Sequence, residues 1–310
     1  MPASSATAQH PGNTVPTRIQ LARLVRLPNV FSAPPDVIAG FAVATGSFHF
    51  SGTLGLVIAG SCLLYAAGMI WNDYFDLAVD ARERPTRPIP SGAISRSSAF
   101  LFGVIAMILG VGLCFIASWK TGLVSIFLTI AILLYDGALK RMPIAPAIMG
   151  LCRSLNLILG VVVARHILGI SDSPDWGVYV ALANGIYITG VTLFARREAG
   201  ASPRSFLISG AGIMTVAFVM HLVIWGLAGQ LGLWGTLLLV GFGIFLALKA
   251  IPAISEPGPQ TIQRAVKTAV LGIIVINAAT SATFAGPVPC LIVLAHLVPA
   301  LWIGRWIYST

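Results

Sequence analysis

Apolar residues arrive in long runs broken only briefly by charge, a pattern that suits one solvent for most of this chain, the hydrocarbon core of a membrane. Such a core is about 30 Å thick and takes about 20 residues of helix to cross. Ten runs are read as spans, at residues 34–48, 54–71, 99–118, 122–135, 144–163, 178–195, 206–227, 231–251, 269–285 and 288–307. Charged residues are 9% of the 310, against about 25% in an ordinary soluble domain. The expected fold class is all-α, a polytopic membrane protein of nine or ten transmembrane helices. The count turns on the last two runs, which only Gly286-Pro287 separates, so that they form a tight hairpin or one broken helix.

Residues 1–17 are rich in Ser, Thr, Ala and Pro and lack an apolar core, so they read as a disordered tail and not a secretory signal, leaving 18–310 as one transmembrane domain. Ten spans put both termini on one side, and the basic residues test that. Sixteen of the 19 fall on the terminal side, Lys120 and Arg165 fall on the other, and Arg153 lies within the fifth run. By the positive-inside rule the termini and the loops beside them are expected to be cytoplasmic, in a cell inner or plasma membrane. Arginines beside anionic lipid account for the net charge of +9, so no nucleic-acid partner is expected. The four cysteines stand singly in apolar runs and are read as packing.

The acidic residues carry the chemistry. Four of the ten crowd the segment Asn72-Asp73-Tyr74-Phe75-Asp76-Leu77-Ala78-Val79-Asp80-Ala81-Arg82-Glu83. If the second helix continues through it, Asp73, Asp76 and Asp80 share a face, as do Asn72 and Asp76. Carboxylates stacked this way repel one another unless a cation lies between them. Magnesium prefers oxygen, takes one or two carboxylates and completes its shell with water and substrate phosphate. The next residues, Arg84-Pro85-Thr86-Arg87-Pro88-Ile89-Pro90-Ser91-Gly92, set two arginines on a proline-stiffened backbone, and the guanidinium fork suits phosphate. Together these read as a site for a magnesium diphosphate.

Asn72, Asp73, Asp76 and Asp80 followed by Arg87-Pro88-Ile89-Pro90-Ser91-Gly92 resemble the first aspartate-rich motif of the UbiA superfamily of intramembrane prenyltransferases, with spacing similar to its chlorophyll-synthase-like branch. Arg23-Leu24-Val25-Arg26-Leu27-Pro28-Asn29 resembles the family's approach to its first helix, and Leu134-Tyr135-Asp136 with Lys140-Arg141 resembles the motif after its fourth. The resemblance implies nine helices around a central cavity, a magnesium cofactor, and transfer of an alkyl or aryl group other than methyl. The group would pass from a prenyl diphosphate to a hydrophobic aromatic or alcohol acceptor. It further implies Asn72 and Asp76 as metal ligands supported by Asp73 and Asp80, with Asp73, Asp76, Asp80 and Lys140 catalytic. Arg84, Arg87, Lys140 and Arg141 would hold the diphosphate.

The family's second aspartate pair, after its sixth helix, is missing. The chain has Phe194-Ala195-Arg196-Arg197-Glu198-Ala199-Gly200 there, similar to the arginine and glutamate pattern of the divergent EboC-like group. Glu198 remains as a candidate ligand, while Arg196 and Arg197 are expected either on phosphate or as ordinary juxtamembrane charge. The loss leaves an alternative in which a catalytically inactive relative binds or transports a lipid or precursor. Arg153 and Asn156, one turn apart within a span, are expected to face the cavity, with Arg153 reaching the diphosphate, Asp136 or a structural partner. Asp36 either meets the acceptor or caps its helix, and Tyr135, Asn184 and Tyr187 are further pocket candidates. Membrane lipid is the remaining expected partner, and the oligomeric state is left open.

Overall fold

A computed structural model describes residues 17–169, 175–196 and 203–307. In hydrocarbon each backbone N–H must find its carbonyl within its own segment, so apolar runs fold as helices; among the described residues there is no strand. Two short helices, α1 (Arg18–Leu24) and α2 (Leu27–Val30), lead into α3 (Ala33–Thr45). There follow α4 (Gly52–Phe75), α5 (Leu77–Glu83), α6 (Arg96–Ala117) and α7 (Trp119–Leu134), which runs on into a π-helical turn at Tyr135–Leu139. The remainder is α8 (Ala145–Leu168), α9 (Trp176–Phe194), α10 (Arg204–Leu227), α11 (Leu233–Ser255), α12 (Pro259–Ala285), α13 (Pro287–Ala295) and α14 (Leu297–Ile307). Serine side chains start three of the long helices: Ser51, Ser95 and Ser118 accept from the amides of Leu54, Ser98 and Thr121.

Nine helical segments among the described residues have the length and apolarity to cross a membrane: α4, α6, α7 with its π turn, α8 through α12, and Pro287–Ile307. The first expected span is the exception. Its helix α3 has 13 residues, about 20 Å of rise, and is buried along nearly its whole length instead of facing lipid. The last two runs form a hairpin, because Gly286 takes φ 84° and turns α13 back onto α12 and α3.

The buried short helix α3 organises the bundle. It packs on α8, α12 and α4, with one apolar cluster around α9 to α12 and another around α4, α6, α7 and α8. Its crossing with α8 is backbone against backbone: a Cβ added to Gly160 would stand 2.0 Å from the Val37 carbonyl oxygen, and one added to Gly40 2.2 Å from that of Leu157. Small residues are how membrane helices gain such contact. A third cluster of Leu24, Ile70, Ile89, Ile94 and Ala99 pins the proline-rich segment after α5 to α1, α4 and α6.

Candidate active site

A cavity of about 960 Å³ opens where α2, α4, α5, the π turn, α8, α9, α12 and α14 converge. Asn72, Asp76, Arg84, Arg87, Asp136 and Lys140 line its polar part, and residues such as Leu64, Leu128, Ile132, Ile188 and Val270 line an apolar body. Arg153, Asn156 and Ser61 reach it at the far end.

The acidic segment does not present one continuous face. α4 stops at Phe75, Asp76 serves as its cap with φ −84° and ψ 3°, and α5 starts afresh at Leu77. The interruption separates the carboxylates that the sequence places together. Asp76 meets Lys140 and lines the cavity. Asp73 and Asp80, each 2% exposed, turn to the arginines: Arg87 Nη1 lies 3.1 Å from Asp73 and 2.6 Å from Asp80, and Arg26 Nη2 donates to Asp73 at 2.9 Å. In this structure Asp73 and Asp80 hold arginines and do not line the cavity.

Arg26 stands in the motif that resembles the family's approach to its first helix but was given no role in the site, because one more juxtamembrane arginine carries no signal of its own. It is also the one described non-glycine residue with positive φ, at 47°, and its guanidinium donates to Asn72 Oδ1 at 2.9 Å. Asn72 Nδ2 in turn donates to Asp136 Oδ1 at 3.1 Å. Asp136 sits in the π turn, where the extra residue swings it and Lys140 toward α4, as π turns at functional sites commonly do. Asn72, Asp76 and Asp136 thus offer three oxygen-bearing side chains at the cavity wall. Among the described residues no three His, Cys, Asp or Glu side chains stand close enough to hold a metal by themselves. This donor set fits a hard cation that brings phosphate oxygens with it.

Arg196 also lines the cavity while its Nη2 donates to the carbonyls of Arg141 and Met142, each at 3.2 Å, so it fixes the connection that carries Lys140. The Arg141 side chain is exposed and outside the cavity lining. Arg197 and Glu198 lie outside the described residues. Lys267 of α12, which was given no role in the sequence reading, also lines the cavity.

Arg153 finds neither Asp136 nor the polar mouth; its partner is Asp36, with Nε 3.0 Å from Oδ2. Asp36, Asn184 and Tyr187 were expected in the pocket, yet none lines the cavity and all are fully buried. Tyr187 donates to the carbonyl of Ala269 at 2.8 Å, and Asn184 bonds Asn277 and His221. Polar side chains in the membrane interior bond to one another because hydrocarbon offers them nothing else. Tyr135 and Asn156 do line the cavity.

The sequence profile of the UbiA prenyltransferase family matches residues 34–271, about three quarters of the chain. The chain belongs to the UbiA prenyltransferase family. It is a multi-pass integral membrane protein with the UbiA fold. Over 147 residues it is 33% identical to the digeranylgeranylglyceryl phosphate synthase of Methanoregula boonei, an alignment covering 47% of this chain and 52% of that one. Over 88 residues it is 40% identical to the enzyme of the same name from Methanococcoides burtonii, covering 28% and 31%. The chain thus spans about a third to a half of the length of these curated relatives. Among solved structures, a digeranylgeranylglyceryl phosphate synthase superposes with TM-score 0.64 at 20% identity over 85% of this chain and 97% of that one. A UbiA homologue from Aeropyrum pernix gives 0.63 at 17%, covering 81% and 96%. These likenesses establish the fold. The UbiA profile ends within α12, so the last span, α13 and α14, lies beyond the matched region.

Proposed function

We propose that this UbiA-family protein transfers a prenyl group from a magnesium-bound prenyl diphosphate to a hydrophobic acceptor. The observation that carries the reading is one cavity whose mouth joins Asn72, Asp76 and Asp136 to Arg84, Arg87 and Lys140, and whose body is apolar. The mouth suits a metal diphosphate and the body an isoprenoid chain. Support also comes from the relatives named digeranylgeranylglyceryl phosphate synthase and from the Archaeoglobus fulgidus UbiA homologue bound to GPP and Mg2+, which shares this fold at TM-score 0.52.

Magnesium, held by Asn72 and Asp76 with Asp136 beside them, would neutralise the diphosphate as it departs. Lys140 and Arg84 add fixed positive charge where the leaving oxygens gather, the kind of preorganised contact that is strongest in a site closed to water. Arg87 works from behind: bound to Asp73 and Asp80, it keeps the α4–α5 corner in shape. Arg26 and Asp136 fix the Asn72 amide from its two ends. Arg196 and Lys267 supply positive charge where related enzymes place a second aspartate pair, so a single metal ion suffices. The apolar walls exclude water from the allylic cation and leave it to the acceptor.

Purified protein in lipid, given geranylgeranyl diphosphate and a panel of phenols and long-chain alcohols, is expected to release pyrophosphate only with magnesium and an acceptor present. Mass spectrometry should find the prenylated acceptor in equal amount. Saturable diphosphate binding without any product would overturn the reading.

A further inference from the structure

The polar end of the cavity farthest from the diphosphate residues has no part in the chemistry above. Ser61 and Asn72 both lie on α4, eleven residues apart, which is about 16 Å of rise and about 20° of rotation. One face of one helix therefore carries both ends of the cavity, with an apolar stretch between. At the far end Ser61 Oγ donates to Asn156 Oδ1 at 2.6 Å, and Asn156 Nδ2 donates to Asp36 Oδ2 at 2.8 Å and to the Ala33 carbonyl at 3.1 Å. Asn277 Nδ2 donates to Asp36 Oδ1 at 2.6 Å. The cluster ties α3, α4, α8 and α12 together.

Not all of its donors are used. Arg153 is 8% exposed and lines the cavity. Nη2 is used on the Ser32 carbonyl at 3.0 Å and Nε faces Asp36 at 3.0 Å, while Nη1 has no hydrogen-bond partner among the described residues. A guanidinium has five N–H donors, and those left over in a buried site call for an acceptor. Charge decides which kind. Asp36 already balances Arg153, and its carboxylate is fully buried beneath Asn156 and Asn277. An added anion would stand uncompensated in a low-dielectric site. A neutral oxygen would not, and a hydroxyl can accept from Arg153 and donate to the free lone pairs of Ser61.

We propose that Arg153, Ser61 and Asn156 form an acceptor subsite that takes an uncharged hydroxyl or carbonyl oxygen. The acceptor is then two-ended, with its nucleophile at the diphosphate, an apolar body, and this oxygen at the far end. The assignment rests on the prenyl-transfer reading for what the ligand is, and on the cluster alone for what it binds.

The test is direct binding of three rigid probes to the full chain in lipid nanodiscs: biphenyl, para-hydroxybiphenyl and para-carboxybiphenyl. The hydroxy compound is expected to bind about tenfold to a hundredfold more tightly than the other two, the range of a hydrogen bond to a buried charge. Arg153→Lys keeps the ion pair with Asp36 but loses the guanidinium fork. It should abolish the preference while leaving geranylgeranyl diphosphate binding unchanged. The double variant Asp36→Asn/Arg153→Met removes both charges together and should do the same if either single change impairs folding. Equal binding of the three probes, tighter binding of the carboxylate, no binding of any, or a preference that survives both variants would each overturn the subsite. Because binding is read without turnover, a failure of prenyl transfer is distinguished from a failure of this subsite.

Discussion

Gly160→Ala tests how the fold positions the site. The added methyl carbon would lie 2.0 Å from the Val37 carbonyl oxygen, 2.8 Å from its carbon and 2.9 Å from its Cα, where ordinary contact begins near 3.4 Å. These are backbone atoms, so α3 must withdraw from α8 by more than 1 Å. Overpacking of this kind costs about 1–3 kcal/mol. The same shift stretches the bond from Asn156 to Asp36, a hydrogen bond to a charged group worth about 1.5–3 kcal/mol. Alanine returns about 1 kcal/mol of helix propensity. The net loss is about 1.5–5 kcal/mol, which at about 2–4 °C per kcal/mol lowers the melting temperature by at least about 3 °C. Gly112→Ala on α6 and Gly212→Ala on α10 are the controls, since their added carbons meet nothing within 4 Å. Melting followed by fluorescence-detected gel filtration should find Gly160→Ala well below wild type and both controls at or above it. Equal melting of Gly160→Ala and Gly112→Ala would refute the close α3–α8 crossing.

Arg87→Ala and Arg84→Ala should separate structure from chemistry. Arg87 is the partner of two nearly buried carboxylates, and its loss should cost about 3–5 kcal/mol and show as thermal instability, whereas Arg84→Ala should melt like wild type and lose prenyl-transfer rate. Lys140→Met should lower kcat/KM for prenyl transfer by about a hundredfold to a thousandfold, the scale of losing one donor to a departing anion, with the melting temperature little changed. Arg196→Ala should loosen the connection that carries Lys140, seen as faster amide hydrogen exchange at residues 140–144, and slow prenyl transfer less than Lys140→Met does.

The membrane class, the helix positions and the charged residues gathered at the cavity mouth were legible because long apolar runs and a charged motif survive as local signals. Three features were not. The first span is too short to cross a bilayer; its apolar residues 34–43 look like any other membrane run, and only their packing shows that the helix is buried inside the bundle. The break at Asp76 is hidden because 77–83 are themselves helical, and only the local geometry shows that Asp73 and Asp80 face arginines while Asp76 faces Lys140. The Asp36–Arg153 pair joins α3 to α8, far apart in sequence. Its indirect trace is Gly40 and Gly160, the small residues that bring those helices together. Arg26 is the clearest residue that sequence reasoning missed, since the excess of juxtamembrane arginines conceals the one that holds Asn72.

The central claim is that the mouth of the cavity holds a metal diphosphate through Asn72 and Asp76. It is tested most directly by measuring farnesyl diphosphate binding to the nanodisc-embedded protein across a magnesium titration. In wild type the affinity should rise at least about tenfold as magnesium saturates, should fall back with chelator, and should become insensitive to magnesium in Asp76→Ala. An affinity that is the same with and without magnesium in wild type, or a magnesium dependence that Asp76→Ala leaves intact, would contradict the account.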